Sequence, residues 1–143
     1  MKGSQQTLGF GTELWNAYGF EILGQTRRAF FRPTGCASAG QLADLITFAL
    51  SFACSQNMRE IVINISSVTG FESPGPAFRR WAVRRWARAS ERTLHIALVA
   101  RHEHICPHMT GLVVAAQEGL KANIFESETE AIKWLDSLYW IDH

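Results

Sequence analysis

The chain has 143 residues, of which 47% are hydrophobic and 19% charged, and these values fit one globular domain with its own core while excluding a disordered chain. Lys and Arg total 14 against 13 for Asp and Glu, so no overall field would attract nucleic acid or anionic lipid. Residues 1–12 follow no periodic pattern, and we expect a flexible tail there and a single domain over residues 13–143.

The cysteines indicate a reducing compartment. Cys36, Cys54 and Cys106 are odd in number, lie far apart and form no CxxC pair, which is typical of reduced thiols. Met1–Gly11 lacks the apolar core of a signal peptide. No run reaches the roughly 18 apolar residues that a membrane span needs. We therefore expect a cytoplasmic protein that is not integral to a membrane.

Two short apolar runs predict a β-hairpin at the start of the domain. Its strands would cover Ala17–Leu23 and Arg27–Arg32, with Gly24 and Gln25 between them. Pro33 then breaks the chain.

A helix and a buried strand follow. Ser38 with Gln41 matches a capping box, and apolar residues then recur at helical spacing, which predicts a helix over Ala39–Gln56. The β-branched run at Arg59–Ile65 has the length of a buried strand.

Strands and helices continue to alternate after a loop at Ser66–Gly75. The pattern predicts a helix at Ala77–Ser90, a strand at Thr93–Ala100, a helix from Pro107 to Glu118 that stops at Gly119, a strand at Ala122–Phe125, and a last helix opened by a capping box of Ser127 and Glu130. The order ββαβαβαβα predicts an α/β fold with about four helices and a mostly parallel sheet that begins with a hairpin.

The stretch Ile61–Phe78, IVINISSVTGFESPGPAF, carries a resemblance to a known family. It resembles the STAS domain of anti-sigma-factor antagonists and sulphate-transporter tails, in which a buried strand, an Asp, a turn with Val and an Asp-Ser-Ser-Gly motif lead into a helix. Val68 matches the Val, and Glu72-Ser73-Pro74-Gly75 occupies the motif. The C-terminal third, from LHIALVA to ETEAIKWL, is similar to the SpoIIAA-like branch of that fold.

The resemblance implies a single-domain STAS-like regulatory module that acts by protein–protein recognition without catalysis. The partner-binding or switch loop that it implies comprises Thr69, Glu72, Ser73, Gly75, Arg79 and Arg80. In signalling members the second serine of the motif accepts phosphate, but here that position is Pro74, and Asn64 stands where the family often has Asp.

Ser73 has two interpretations. Ser followed by Pro is typical of a helix N-cap and the first helical residue. Alternatively, phosphorylation of Ser73 would place about two negative charges at a helix N-terminus beside Arg79 and Arg80.

The helix that follows is strongly basic. It holds Arg79, Arg80, Arg84, Arg85, Arg88 and Arg92 against a single acidic residue, Glu91. Its arginines could grip phosphate groups or an acidic partner, with Trp81 available for stacking. The alternative is a solvated outer face whose charge is balanced by acidic residues elsewhere.

The loop RHEHICPH spaces His102, His104, Cys106 and His108 two residues apart. Imidazole and thiolate are ligands for zinc or copper, and in an extended stretch all four would share one face. The spacing is not that of a common zinc site. The alternative places these side chains at the sheet's C-terminal edge, lining a small-molecule pocket.

No GxSxG, GxxxxGK[ST], HExxH or dinucleotide fingerprint is present, so the sequence predicts a non-catalytic binding role without a cofactor. Protein recognition ranks first among the hypotheses. The second is a small-molecule or lipid-binding domain with an apolar pocket between sheet and helices and the histidine loop at its mouth, and the third is metal binding. The apolar C-terminal LYWID could form a homodimer contact.

Overall fold

The computed structural model describes residues 20–23, 27–105 and 109–142. In chain order these ranges form β1 (Phe20–Leu23), β2 (Arg28–Phe31), β3 (Gly35–Cys36), α1 (Ala39–Ser55), β4 (Glu60–Asn64), β5 (Val68–Thr69), α2 (Pro76–Ala89), β6 (His95–Val99), a 3₁₀ turn (His102–His104), α3 (Thr110–Gln117), β7 (Lys121–Phe125) and α4 (Glu128–Asp142). The predicted α/β architecture is confirmed.

The main sheet has five strands in the order β1-β2-β4-β6-β7. β1 pairs antiparallel with β2, and every other pair is parallel. The parallel strands follow one another in chain order, so right-handed crossovers place all three connecting helices, α1 to α3, on the same face. α4 follows the last strand and covers the opposite face.

Alternate side chains of each strand enter two separate cores, as the two-residue period of a strand requires. Phe31 and Ile63 pack under α1 to α3. Their neighbours Phe30 and Val62 pack with Leu135 of α4 on the other face. The parallel strands are thus buried on both faces, which explains why the centre of β4, Ile61–Ile63, is continuously apolar.

Local hydrogen bonds define the start of α1 and the end of α3, as the sequence predicts. Ser38 Oγ accepts from the backbone N–H of Gln41 at 3.1 Å, and Gln41 Oε1 accepts from the Ser38 N–H at 2.9 Å, which confirms the capping box. Gly119 ends α3 in the left-handed region at φ 74°. Its N–H donates to Ala116 O, and Leu120 N–H donates to Ala115 O, the two bonds of a Schellman motif.

A buried ion-pair network fixes α4 to the sheet. Arg28 of β2 lies in register with Glu60 of β4, and its Nε donates to Glu60 Oε1 at 2.6 Å. The Arg28 Nη2 donates to Asp136 of α4 at 2.7 Å. Arg28 is 8% exposed and Glu60 4%, so each charge requires the other, because an unpaired buried charge is strongly destabilising.

A second polar cluster holds the first turn of α4. Arg32 donates to both carboxylate oxygens of Glu128, at 2.8 and 3.2 Å, and Asn64 Nδ2 donates to the same carboxylate at 2.8 Å. These bonds, led by the one from Arg32, lower the pKa of Glu128 against the opposing effect of its burial. Asn64 Oδ1 in turn accepts from the backbone N–H and hydroxyl of Ser66.

One prediction about the loops is wrong. Val68–Thr69, expected within a loop, pairs in parallel with Gly35–Cys36 to form a second, two-stranded sheet. Ala37 N–H adds a bond to Thr69 O at 2.8 Å. Two-residue strands are too short to leave a periodic pattern in the sequence. The predicted hairpin residues 17–19 and 24–26 and the predicted helix start at Pro107 lie outside the described residues.

Gly70 is required by this small sheet. Its φ is 93°, and a Cβ would overlap Cys36 Sγ and lie 3.3 Å from Ala37 N. We expect Gly70→Ala to lower the free energy of unfolding by about 1–2 kcal/mol or more, since both backbone strain and overlap oppose the alanine. Chemical denaturation measures the change.

The matched control is Gly40→Ala in α1, where the nearest atom to an added Cβ is Ser38 Oγ at 3.9 Å. That variant should be neutral or stabilised by up to about 1 kcal/mol. Adding Cys36→Ala to Gly70→Ala should recover only the part due to overlap. Equal stability of Gly70→Ala and wild type would show that the small sheet does not require glycine at position 70.

Glu128 makes stability depend on pH. Because its folded pKa is lowered, its contribution is complete above the unfolded carboxyl pKa, about 4.3, and is lost as the pH falls through the folded pKa. We expect Glu128→Gln to cost about 1 kcal/mol at pH 7, and this cost should shrink below about pH 4. Urea denaturation between pH 2.5 and 7 tests this.

Glu130→Gln, two residues further along α4, is the control, since Glu130 has no ion-pair partner within the described ranges. Its effect should be small by comparison. A cost of Glu128→Gln that stays constant down to pH 2.5 would refute the ionic contribution.

Candidate functional site

An apolar cavity of about 140 Å³ lies between the sheet and helices α1 to α3. The strands provide its floor, including Ile63 and Ile96, and each helix contributes to the wall, with Ile46 from α1, Ala82 from α2 and Ala115 from α3. These five side chains are all buried. The cavity lies where the second functional hypothesis expects a pocket.

Two loops close the cavity at the C-terminal edge of the parallel strands. Phe71 and Pro74 come from the loop before α2, and His104 and Ile105 come from the turn after β6. Met109, which opens α3, is 44% exposed and is the most exposed of the lining residues. This end is therefore the mouth, at the sheet edge where ligands of parallel α/β folds bind.

Arg79 of α2 joins the two loops. Its Nε donates to Pro74 O at 2.9 Å, and its Nη2 donates to Ser73 Oγ at 2.7 Å and to His104 O at 3.2 Å. The predicted switch loop and the predicted histidine loop, separate in sequence, thus meet at one guanidinium. Arg79 also lines the cavity.

His104 is buried beside this junction. Its ring stacks on Phe71 with the centroids 4.2 Å apart, and the residue is 8% exposed. Its Nδ1 is buried without a hydrogen-bond partner in the part of the chain that the structure describes. An unsatisfied buried polar atom costs about 1–3 kcal/mol, so this nitrogen is a polar group of the lining, which also includes Arg79 and Asn123.

The N-cap interpretation of Ser73 is wrong. Gly75 is the N-cap of α2, and Pro76 rather than Pro74 is the first helical residue. Gly75-Pro76 meets the same preference for proline at the first position two residues later. The Ser73 hydroxyl is instead exposed and bonded to Arg79.

The other residues of the predicted switch loop are on the surface. Thr69 is exposed and its hydroxyl donates to Gly35 O at 3.4 Å. Glu72 and Arg80 are exposed and have no side-chain partner within the described ranges. These side chains are available for contact with another molecule.

Three of the six arginines predicted for the basic helix form ion pairs, and one of these, Arg92, lies beyond the end of α2 at Ala89. Arg84 and Arg92 lie 3.4 and 3.5 Å from the Glu118 carboxylate, and Arg85 lies 2.6 Å from Asp44. These three agree with a face balanced by acidic residues elsewhere. Arg88, like Arg80, has no partner among the described residues.

The two described histidines of the histidine loop do not share a face. His102 to His104 forms a 3₁₀ turn rather than an extended stretch, so His104 is buried while His102 is exposed with Nδ1 3.1 Å from Glu126 Oε2. Cys106 and His108 lie outside the described residues. Within the described ranges no group of three His, Cys, Asp or Glu residues is arranged to hold a metal ion.

The two described cysteines differ in burial. Cys54 donates to Ser90 O at 3.3 Å, and burial raises the pKa of its thiol, which leaves it a poor nucleophile. Cys36 is exposed on the two-stranded sheet.

Comparisons with known proteins found no similar protein. A scan against protein-family models matches no family. A search of curated proteins and a search of solved structures likewise return no match. Among the helices that the structure describes, none combines the length and apolar character needed to cross a membrane.

Proposed function

We propose that this domain binds a small, largely apolar molecule in the cavity between the sheet and helices α1 to α3. The cavity is the observation that carries the proposal. Protein cores are packed with few voids, and the side chains that line a pocket of about 140 Å³ lack packing contacts that a filled core would give them. A bound ligand would recover the lost contacts.

The size and lining of the cavity indicate the size and polarity of its ligand. An engineered apolar cavity of about 150 Å³ in another protein stays dry and takes up benzene. The cavity here is of similar volume, and its buried wall consists of aliphatic and aromatic side chains. The ligand's apolar part should therefore be about the size of one aromatic ring or a short alkyl chain.

Toluene binding together with a filled cavity tests the proposal. Ala82, 2% exposed, lines the cavity, and Ala82→Leu would place three carbons in the void. We expect toluene to raise the thermal midpoint of the wild type, because a ligand that binds only the folded state stabilises it. The Ala82→Leu variant should fold with little loss of stability and show no response to toluene.

Ala87→Leu is the matched control. Ala87 lies on the same helix and is fully buried, but it packs in the core away from the cavity lining. Overpacking should cost about 1–3 kcal/mol, and the variant should still respond to toluene. The proposal fails if toluene has no effect on the wild type, or if it stabilises Ala82→Leu equally.

A second function, recognition of a protein partner, is favoured by one surface feature. Trp81 is 48% exposed with the Arg85 guanidinium over its ring, and Arg80 and Arg88 of the same helix carry no paired acid in the described structure. Exposed Trp with Arg is the composition of interface hot spots. We propose that this face and the loop from Ser66 to Gly75 form the partner surface of a STAS-like regulatory module, as the sequence resemblance implies.

Affinity capture with variants tests the second function. Trp81→Ala should lose a protein that the wild type retains from extracts of the producing cells, since truncating a hot-spot residue typically costs about 2 kcal/mol or more. The control Val113→Ala removes another exposed apolar side chain, 52% exposed, from α3 and should retain it. Retention of every captured protein by Trp81→Ala would argue against this surface.

A further inference from the structure

The mouth of the cavity contains the positive charge of Arg79, which no acidic side chain of the described residues neutralises. Arg79 is partly buried, and its three hydrogen bonds all go to neutral oxygens, those of Ser73, Pro74 and His104. It pairs with no carboxylate in the described part of the chain, whereas Arg84, Arg85 and Arg92 each do. A partly desolvated cation gains most from an anion that arrives from outside the chain.

A second, independent observation concerns His104, which also lines the cavity. His104 Nδ1 is buried and lacks a hydrogen-bond partner within residues 27–105 and 109–142, and its ring lines the cavity. The backbone carbonyl of the same residue accepts from Arg79. The charge of Arg79 and the unpaired nitrogen of His104 therefore belong to one small polar end of the pocket.

From these two features we infer that the ligand is a small apolar carboxylate, with its ring or chain in the cavity and its carboxylate at the Arg79–His104 end. This inference rests on the proposed small-molecule function and specifies its ligand class. Arg79 Nη1 makes no hydrogen bond to the described residues. That group and His104 Nδ1, in the tautomer that carries the hydrogen on this nitrogen, offer two donors for the two carboxylate oxygens. The apolar wall confines the charged group to the mouth.

A matched set of three probes tests the ligand class on the intact wild-type protein. Phenylacetate carries the carboxylate, phenylacetamide replaces it with a neutral group of the same shape, and toluene has the ring alone. We expect phenylacetate to bind about tenfold or more tightly than phenylacetamide in chemical-shift titrations, because bonds to a charged group are the stronger ones.

Variants then assign the preference to its residues. Arg79→Gln should abolish the advantage of phenylacetate over phenylacetamide, and Arg79→Lys should restore part of it. Arg80→Gln is the matched control, since it removes the same charge one residue along from an exposed position outside the cavity lining. His104→Phe keeps a ring against Phe71 and removes the nitrogen, so it should weaken phenylacetate binding while leaving toluene binding unchanged.

The outcomes separate this inference from the function on which it rests. Equal binding of all three probes to the wild type would overturn the carboxylate assignment and leave the apolar pocket intact. If none of the three probes binds, both the carboxylate assignment and the proposed small-molecule function are overturned. The wild-type comparison decides the matter even if Arg79→Gln does not fold. A carboxylate preference that Arg80→Gln abolishes and Arg79→Gln retains would also overturn the assignment.

Discussion

The handedness of the strand–helix–strand crossover determines the layout of this molecule. Since the parallel strands lie in chain order, three right-handed crossovers put α1, α2 and α3 on one face and leave the other face to α4 alone. Three helices must then cover four parallel strands. α2 contacts both α1 and α3, and α3 has only eight residues. The cavity lies where these three helices meet over the sheet. Its floor is apolar because the crossovers bury this face of the strands beneath the helices.

The fold was largely predictable from the sequence because its signals are local and repeated. The centre of β4, Ile61–Ile63, is apolar on both sides because both faces of the strand are buried, and α1 begins after a complete capping box. The polar ties to α4 were not predictable. Arg28 meets Glu60 and Asp136, and Arg32 meets Glu128, only once the sheet register and the packing of α4 are fixed. Such pairs, 32 to 108 residues apart in sequence, leave no periodic trace.

The candidate site was predictable only in its parts. The sequence marked Arg79 as part of a switch loop and His104 as a possible ligand, without a reason to join them. Their meeting depends on the parallel neighbours β4 and β6, whose following loops emerge at the same sheet edge. Phe71 was missed, although an aromatic residue amid polar loop residues was a signal that it packs inward. The hypothesis of one shared face does not hold for His102 and His104, because two-residue spacing brings side chains to one face only in extended backbone and these two residues lie in a 3₁₀ turn.

The two proposed functions share one structural element, the loop that ends at the N-terminus of α2. On its inner side Phe71 and Pro74 line the cavity, and on its outer side Glu72 and Ser73 are exposed. Arg79 holds that loop to the turn after β6 through hydrogen bonds to both. A ligand in the cavity that accepts a hydrogen bond from the Arg79 guanidinium would weaken or strengthen the hydrogen bonds that Arg79 makes to the two loops. Any such preference of the ligand for one loop arrangement would, by thermodynamic linkage, change the affinity of the outer surface for a partner by the same factor. Ligand binding and partner recognition need not be alternatives, because one arginine contacts both sides of the loop.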